Sequence, residues 1–125
     1  MKNLALMLIL ALVAPALLAA EACDKPKNDF DGLYCLNKVY SQADKDLNES
    51  YGKLAKALDA EGKASLKQGQ LAWIAARNSN CSAHNEKGFF VNLECATNTT
   101  IERVQFLNDR IRECSSAGCM NSKLK

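Results

Sequence analysis

Six cysteines, Cys23, Cys35, Cys81, Cys95, Cys114 and Cys119, constrain this 125-residue chain more than any other feature. An even number of cysteines in a short exported chain reads as a disulfide framework. The competing use is a zinc site, which wants closely spaced cysteine pairs or cysteine with several histidines. No C-x-x-C occurs and His84 is the only histidine, so no metal site is expected and thiol oxidoreductase chemistry is poorly supported. The favoured pairing is sequential, Cys23 with Cys35, Cys81 with Cys95 and Cys114 with Cys119, each closing a short local loop. Its rival joins Cys23 to the C-terminal pair and ties the ends of the domain together.

The disulfide reading needs an oxidising compartment, and the first residues supply the argument for one. Met1-Lys2-Asn3 is a short basic start, followed by an apolar run to Ala20 and an A-x-A pattern at Ala20-Glu21-Ala22. That is the order of a secretory signal peptide. The run of roughly 17 residues is at the short limit for a membrane span, and Pro15 interrupts it. Residues 1–22 are therefore expected to be removed, after Ala20 or Ala22, leaving residues 23–125 as one domain with no membrane span. Glu21 sits in the box that a lipoprotein would need before Cys23, which argues against lipidation. About a hundred residues bury only a small core, for which covalent staples matter.

The formal charge is +2, with both signs interspersed. No basic stripe suits nucleic acid.

Downstream, the apolar spacing is helical. Leu33, Leu36, Tyr40, Ala43, Leu47, Tyr51, Leu54 and Leu58 recur at steps of three and four, which predicts one long amphipathic helix over about 32–60. The stretch A-E-G-K, residues 60–63, is the expected turn. A second helix is predicted over about 62–79, with Leu66, Gln70, Trp73, Ile74 and Arg77 on one face. Residues 80–96 read as a long loop with a cysteine near each end, in which F-F-V forms at most a short extended piece. A third helix is expected from Thr99, with Thr99 and Glu102 as a capping box and Ile101, Val104, Leu107, Ile111 and Cys114 at helical spacing. The predicted fold is all-α: a disulfide-stapled three-helix bundle with a long antiparallel helical hairpin.

If the chain turns back near residue 60, Asp44 faces Arg77, Asn48 faces Trp73 and Tyr51 faces Gln70. This predicts an Asp44–Arg77 ion pair bordered by hydrogen bonds from Asn48, Gln70 and Tyr51. A carboxylate beside a tyrosine and an arginine can serve a site. The favoured reading is architectural, because partly buried polar pairs can fix helix register and no nucleophile sits beside this set. Trp73 reads as a core plug.

The run D-x-x-L-N-x-x-Y (Asp44, Leu47, Asn48, Tyr51), then Q-x-A-W-I-x-x-R-x-x-x-C (Gln70 to Cys81), then a cysteine ahead of T-x-E-R-x-x-x-L (Cys95, Thr100, Glu102, Arg103, Leu107), resembles the LprI N-terminal-domain family of small exported bacterial proteins. The C-x4-C tail of Cys114 and Cys119 is similar to that of its YecT-type members. The family takes its name from lysozyme inhibition. The resemblance thus implies a periplasmic helical protein with a protein partner, lysozyme, and no cofactor. It also gathers Arg103 into the polar set. Lysozymes work with two carboxylates in a cleft, so an inhibitor needs a rigid projection. The disulfide-closed loop is the candidate, with His84 and Lys87 as donors and Phe89 and Phe90 as apolar contacts. In the alternative, those phenylalanines cap the helical core, and the protein is a structural or adaptor component of the envelope. Asp44, Asp46 and Glu49 offer a local acidic face for a basic partner. A catalytic role finds no Ser–His–Asp set and no phosphate loop. Nothing in the sequence sets the oligomeric state.

Overall fold

The computed structural model describes residues 23–125; the expected signal peptide and its cleavage points lie outside them. Three helices account for most of the fold: α1 (Asp29–Ala57), α2 (Ala60–Cys81) and α3 (Leu93–Ser116). Two short antiparallel strands, β1 (Ser82–Asn85) and β2 (Gly88–Val91), join α2 to α3, and a single 3-10 turn (Asn121–Lys123) ends the chain.

Each helix begins at a side chain that accepts a hydrogen bond from an otherwise unpaired backbone N–H. Asn28 accepts from Asp31, Asp59 from Gly62 and Asn92 from Cys95. Asp59 moves the first turn earlier than the sequence spacing suggests. The reversal occupies Leu58 and Asp59, and Ala60 to Lys63 already belong to α2. Asn92 likewise starts α3 well before the expected Thr99. The Thr100 and Glu102 positions are therefore helix interior, and the hydroxyls of Thr97 and Thr100 donate to the carbonyls of Leu93 and Ala96 one turn back. The predicted loop is accordingly shorter and more ordered than its sequence implies, with strands where none was expected.

The up–down–up order places α2 antiparallel to α1 and makes α1 and α3 parallel. Ser50 donates to Asn108 across the α1–α3 seam at 2.9 Å. Leu36 and Val39 lie beside Glu94 and Thr97 at the same stagger. Close approach here comes from small buried residues, Ala43 and Ser50 on α1 and Ala96, Thr97 and Thr100 on α3. The α1 and α3 backbones run close along this seam, whereas α1 and α2 approach each other at few points. The apolar stripe of α1 thus finds its main partner in α3, the helix farthest from it in sequence.

The core sits at the end of the bundle where α1 turns into α2. Leu47, Leu54, Leu58, Leu66, Leu107 and Leu124 form it, with Tyr51, Trp73, Val104, Phe106 and Ile111 packed around them. At the other end Leu33, in the first turns of α1, is exposed. The bridges are Cys23–Cys35, Cys81–Cys95 and Cys114–Cys119. The first two clamp the end where large apolar side chains are exposed rather than packed into a core. The third turns the tail back so that Leu124 enters the core and Asn121 donates to Asp59 at 3.2 Å. Gly69 makes room for this return: a Cβ there would lie 2.6 Å from the Leu124 carbonyl oxygen. No helix among the described residues is long and apolar enough to cross a membrane.

Candidate functional site

The polar residues singled out from the sequence divide into two groups. Gln70 and Arg103 meet across the α2–α3 seam, where the Arg103 Nε–H donates to Gln70 Oε1 at 2.9 Å. Both side chains are only 8% exposed. The Arg103 guanidinium lies 4.3 Å from the Phe106 ring centroid and 5.9 Å from that of Trp73. Its Nη2 is buried without a hydrogen-bond partner, and burial lowers its pKa from the usual arginine value. Arg77 stacks on the indole of Trp73 at 5.0 Å, donates to Asn78 through Nε and Nη2, and reaches Thr100 at 3.4 Å. Trp73 is thus flanked by two cations and packs, partly buried, at the edge of the core.

Asp44, Asn48 and Tyr51 are placed differently. Among the described residues, no ion pair joins Asp44 to Arg77, and no hydrogen bond links Asp44, Asn48 or Tyr51 to any side chain of α2. They line a groove of about 330 Å³ between α1 and α2, facing Lys67, Gln70, Leu71, Ile74 and Arg77. The reason is the tight α1–α3 seam: α2 rests on α3, and the α1–α2 interface is left open above the turn.

The hairpin carries the loop candidates. Its pairing sets Ser82 opposite Val91, Ala83 opposite Phe90, His84 opposite Phe89 and Asn85 opposite Gly88. The Asn85 side chain accepts from the Lys87 backbone N–H, and Gly88 takes φ +129°, a left-handed conformation that favours glycine. A two-stranded hairpin is marginal by itself. Here the Cys81–Cys95 bridge and a bond from Asn92 N–H to the Cys81 carbonyl, 2.8 Å long, close its base. Phe89 is 82% exposed, Phe90 49% and Val91 66%. These side chains therefore do not cap the helical core. His84 stacks on Phe89 with centroids 4.4 Å apart, and Lys87 lies exposed in the turn.

Beneath the hairpin lies a cleft of about 550 Å³, where Phe89 and Val91 face Tyr40, Arg77 and Asn78 with Leu93 at its edge. Tyr40, Val91 and Leu93 were not among the sequence candidates. For Val91 the signal was the strand alternation in G-F-F-V, which puts Phe89 and Val91 on one face and Phe90 on the other, whereas Tyr40 belongs to the helical stripe of α1 and Leu93 to the start of α3. Phe30 and Tyr34 in the first turns of α1 are also exposed.

A family model described as lysozyme inhibitor LprI matches residues 21–107, a span that takes in α1, α2, the hairpin and most of α3. No curated protein and no solved structure matches the chain.

Proposed function

The chain belongs to the LprI family, and from that premise we propose that it is an exported periplasmic protein that blocks a peptidoglycan-cleaving lysozyme by protein–protein contact, with the hairpin as its contact element. The observation that carries this reading is the exposure of Phe89, Phe90 and Val91 on a strand whose base is bolted by a disulfide. Large apolar side chains held out in water on a rigid support are the kind of anchors that dominate protein interfaces. Pre-organisation by the bridge lowers the entropy lost on binding. His84 and Lys87 stand beside these anchors as donors for the two carboxylates of a glycosidase cleft. We read the protein as a binder rather than an enzyme. Among the described residues, the groups whose pKa is clearly displaced, Asp59 and Arg103, are a helix cap and a buried cation, not acids poised near neutral pH.

The test is titration of the oxidised protein into assays of c-, g- and i-type lysozymes. Stoichiometric inhibition of at least one class is expected, weakened roughly tenfold or more by Phe89→Ala combined with Phe90→Ala, as for central anchors. Absence of inhibition at micromolar protein in all three classes overturns the reading. A second reading, an adaptor of the cell envelope, draws on the separate exposed side chains Phe30, Leu33 and Tyr34 on α1. Pull-down from periplasm distinguishes the two: recovery of envelope proteins without lysozyme supports the adaptor.

A further inference from the structure

The outer edge of β2 is unpaired, and the ladder beside it fixes which groups stand there. The Asn92 N–H donates to the Cys81 carbonyl at 2.8 Å, and these two residues continue the register that sets Ser82 opposite Val91. Antiparallel pairs alternate between those that exchange backbone hydrogen bonds and those that do not. With Cys81 and Asn92 a bonded pair, Ala83 with Phe90 and Asn85 with Gly88 are bonded as well. The N–H and C=O groups of Phe89 and Val91 therefore point away from β1, as do those of Ser82 and His84 on the opposite edge. Among the described residues no further strand joins this sheet and no helix backbone runs along β2.

Natural sheet edges are usually guarded by charge, proline or a bulge. Phe89, Phe90 and Val91 carry neither charge nor proline, and all three are exposed. The β1 edge differs. Its outward residues, Ser82 and His84, are polar, and the Ser82 hydroxyl donates back to the Asn78 carbonyl.

What the β2 edge fits follows from its own symmetry. Set it antiparallel to the same strand of a second copy, about a two-fold axis at Phe90. Phe89 then lies opposite the partner's Val91, and Val91 opposite the partner's Phe89. All the outward groups are used in reciprocal hydrogen bonds, with none left over. Centring the axis on Phe89 or Val91 instead would set the other residue against the turn or the start of α3. The side chains agree with this register. On the face over the cleft, Phe89 meets the partner's Val91. On the other face, Phe90 meets its own equivalent at the closer spacing of a non-bonded pair. The near-balanced charge of +2 does little to oppose the approach of two copies. These side chains bury on the order of a few hundred Å² per copy, below the roughly 800 Å² per partner of a stable complex. The association is therefore weak and reversible.

We propose that β2 pairs edge to edge with β2 of a second copy, giving a two-fold dimer with one sheet running across both. This does not rest on lysozyme as the target. If the hairpin also contacts a lysozyme as proposed above, self-pairing covers the same side chains, and dimer and complex exclude each other.

The experiment is sedimentation of the oxidised protein from about 10 μM to about 1 mM, with amide hydrogen exchange followed by NMR at both ends of that range. A reversible monomer–dimer equilibrium is expected. Exchange at the Phe89 and Val91 amides should slow as concentration rises, while the Ser82 and His84 amides, on the unused edge, stay fast. Val91→Pro removes only an outward N–H and leaves the β1–β2 bonds in place. It should weaken the dimer roughly tenfold or more, through the bonds lost from both copies. Phe90→Lys leaves the backbone donors intact and should abolish the dimer, because like charges would stand directly opposite at the axis. Spectra at low concentration check that each variant keeps its hairpin; if Val91→Pro does not, Phe90→Lys decides. Monomer alone at about 1 mM overturns the proposal. So does a dimer whose Phe89 and Val91 amides exchange like those of Ser82 and His84, or one that an intact Val91→Pro hairpin leaves unweakened. Growth beyond two copies overturns the two-fold arrangement. Protection of Phe89 and Val91 only on adding lysozyme would assign the edge to that partner and overturn self-pairing.

Discussion

Asp59 does two jobs with one oxygen. Its Oδ1 accepts from the Gly62 backbone N–H at 2.7 Å, capping α2, and from the Asn121 amide at 3.2 Å, holding the returning tail. The first of these bonds, then the second, favours the carboxylate and holds its pKa below the ordinary 3.8. A depressed folded-state value means that the cap's contribution is complete above the unfolded value and is lost as pH falls through the folded one. Urea midpoints measured from neutral pH downward should therefore begin to drop below about pH 4. Asp59→Asn keeps an acceptor oxygen without a titrating proton, so that part of the drop should disappear. Midpoints of wild type and variant that fall in parallel would show that other carboxylates dominate. Arg103 shows a different economy: a desolvated guanidinium with a glutamine and two aromatic rings for company, and no carboxylate hydrogen-bonded to it among the described residues. Arginine tolerates this because it stays charged and is weakly hydrated.

The hairpin depends on its bridge. The Cys81–Cys95 bond closes a 14-residue separation, for which chain entropy alone gives about 3 kcal/mol. Cys81→Ala with Cys95→Ala should lower global stability by about that amount. Hydrogen exchange at residues 82–91 should rise far more than at Leu54 or Leu107. Uniform loss of protection would mean that the bridge staples the whole bundle rather than its projection. This element also shows where the sequence was legible. Helical period located all three helices, and cysteine count together with local spacing pointed to the bridges. Residues Ser82 to Val91 were opaque because each strand is only four residues long, too short for alternation to stand out. The threonine-rich start of α3 misled because Thr-x-x-Glu imitates a cap, while the true cap, Asn92, stands earlier. The pairing of polar residues failed for a third reason. It assumed that consecutive helices pack face to face, yet Ala43, Ser50, Ala96, Thr97 and Thr100 let α1 and α3 approach more closely than either larger-faced alternative. Gln70 was in the right set with the wrong partner, and Arg103, in the same set, had been given none.

Across the whole molecule, cohesion is unevenly spread. One end has the leucine core and the returning tail; the other has two disulfides, small side chains and the hairpin. The tail is integral to the first end. Gly69→Ala would push its Cβ into the Leu124 carbonyl and the Lys125 Cα, displacing Leu124 from its buried seat. We expect a lower thermal midpoint, by about 4–8 °C for each kcal/mol lost in a domain of this size, with the groove and hairpin resonances little changed. An unchanged midpoint would show that the tail relocates freely. The placement of two bridges at the core-poor end has a further consequence. A reduced copy would lose the bridge at the base of its apolar tip, where no leucine core takes over, as well as the one that returns the tail, so the contact surface would be held firm only after oxidation. On the proposed export, transit itself would act as the switch that arms the molecule.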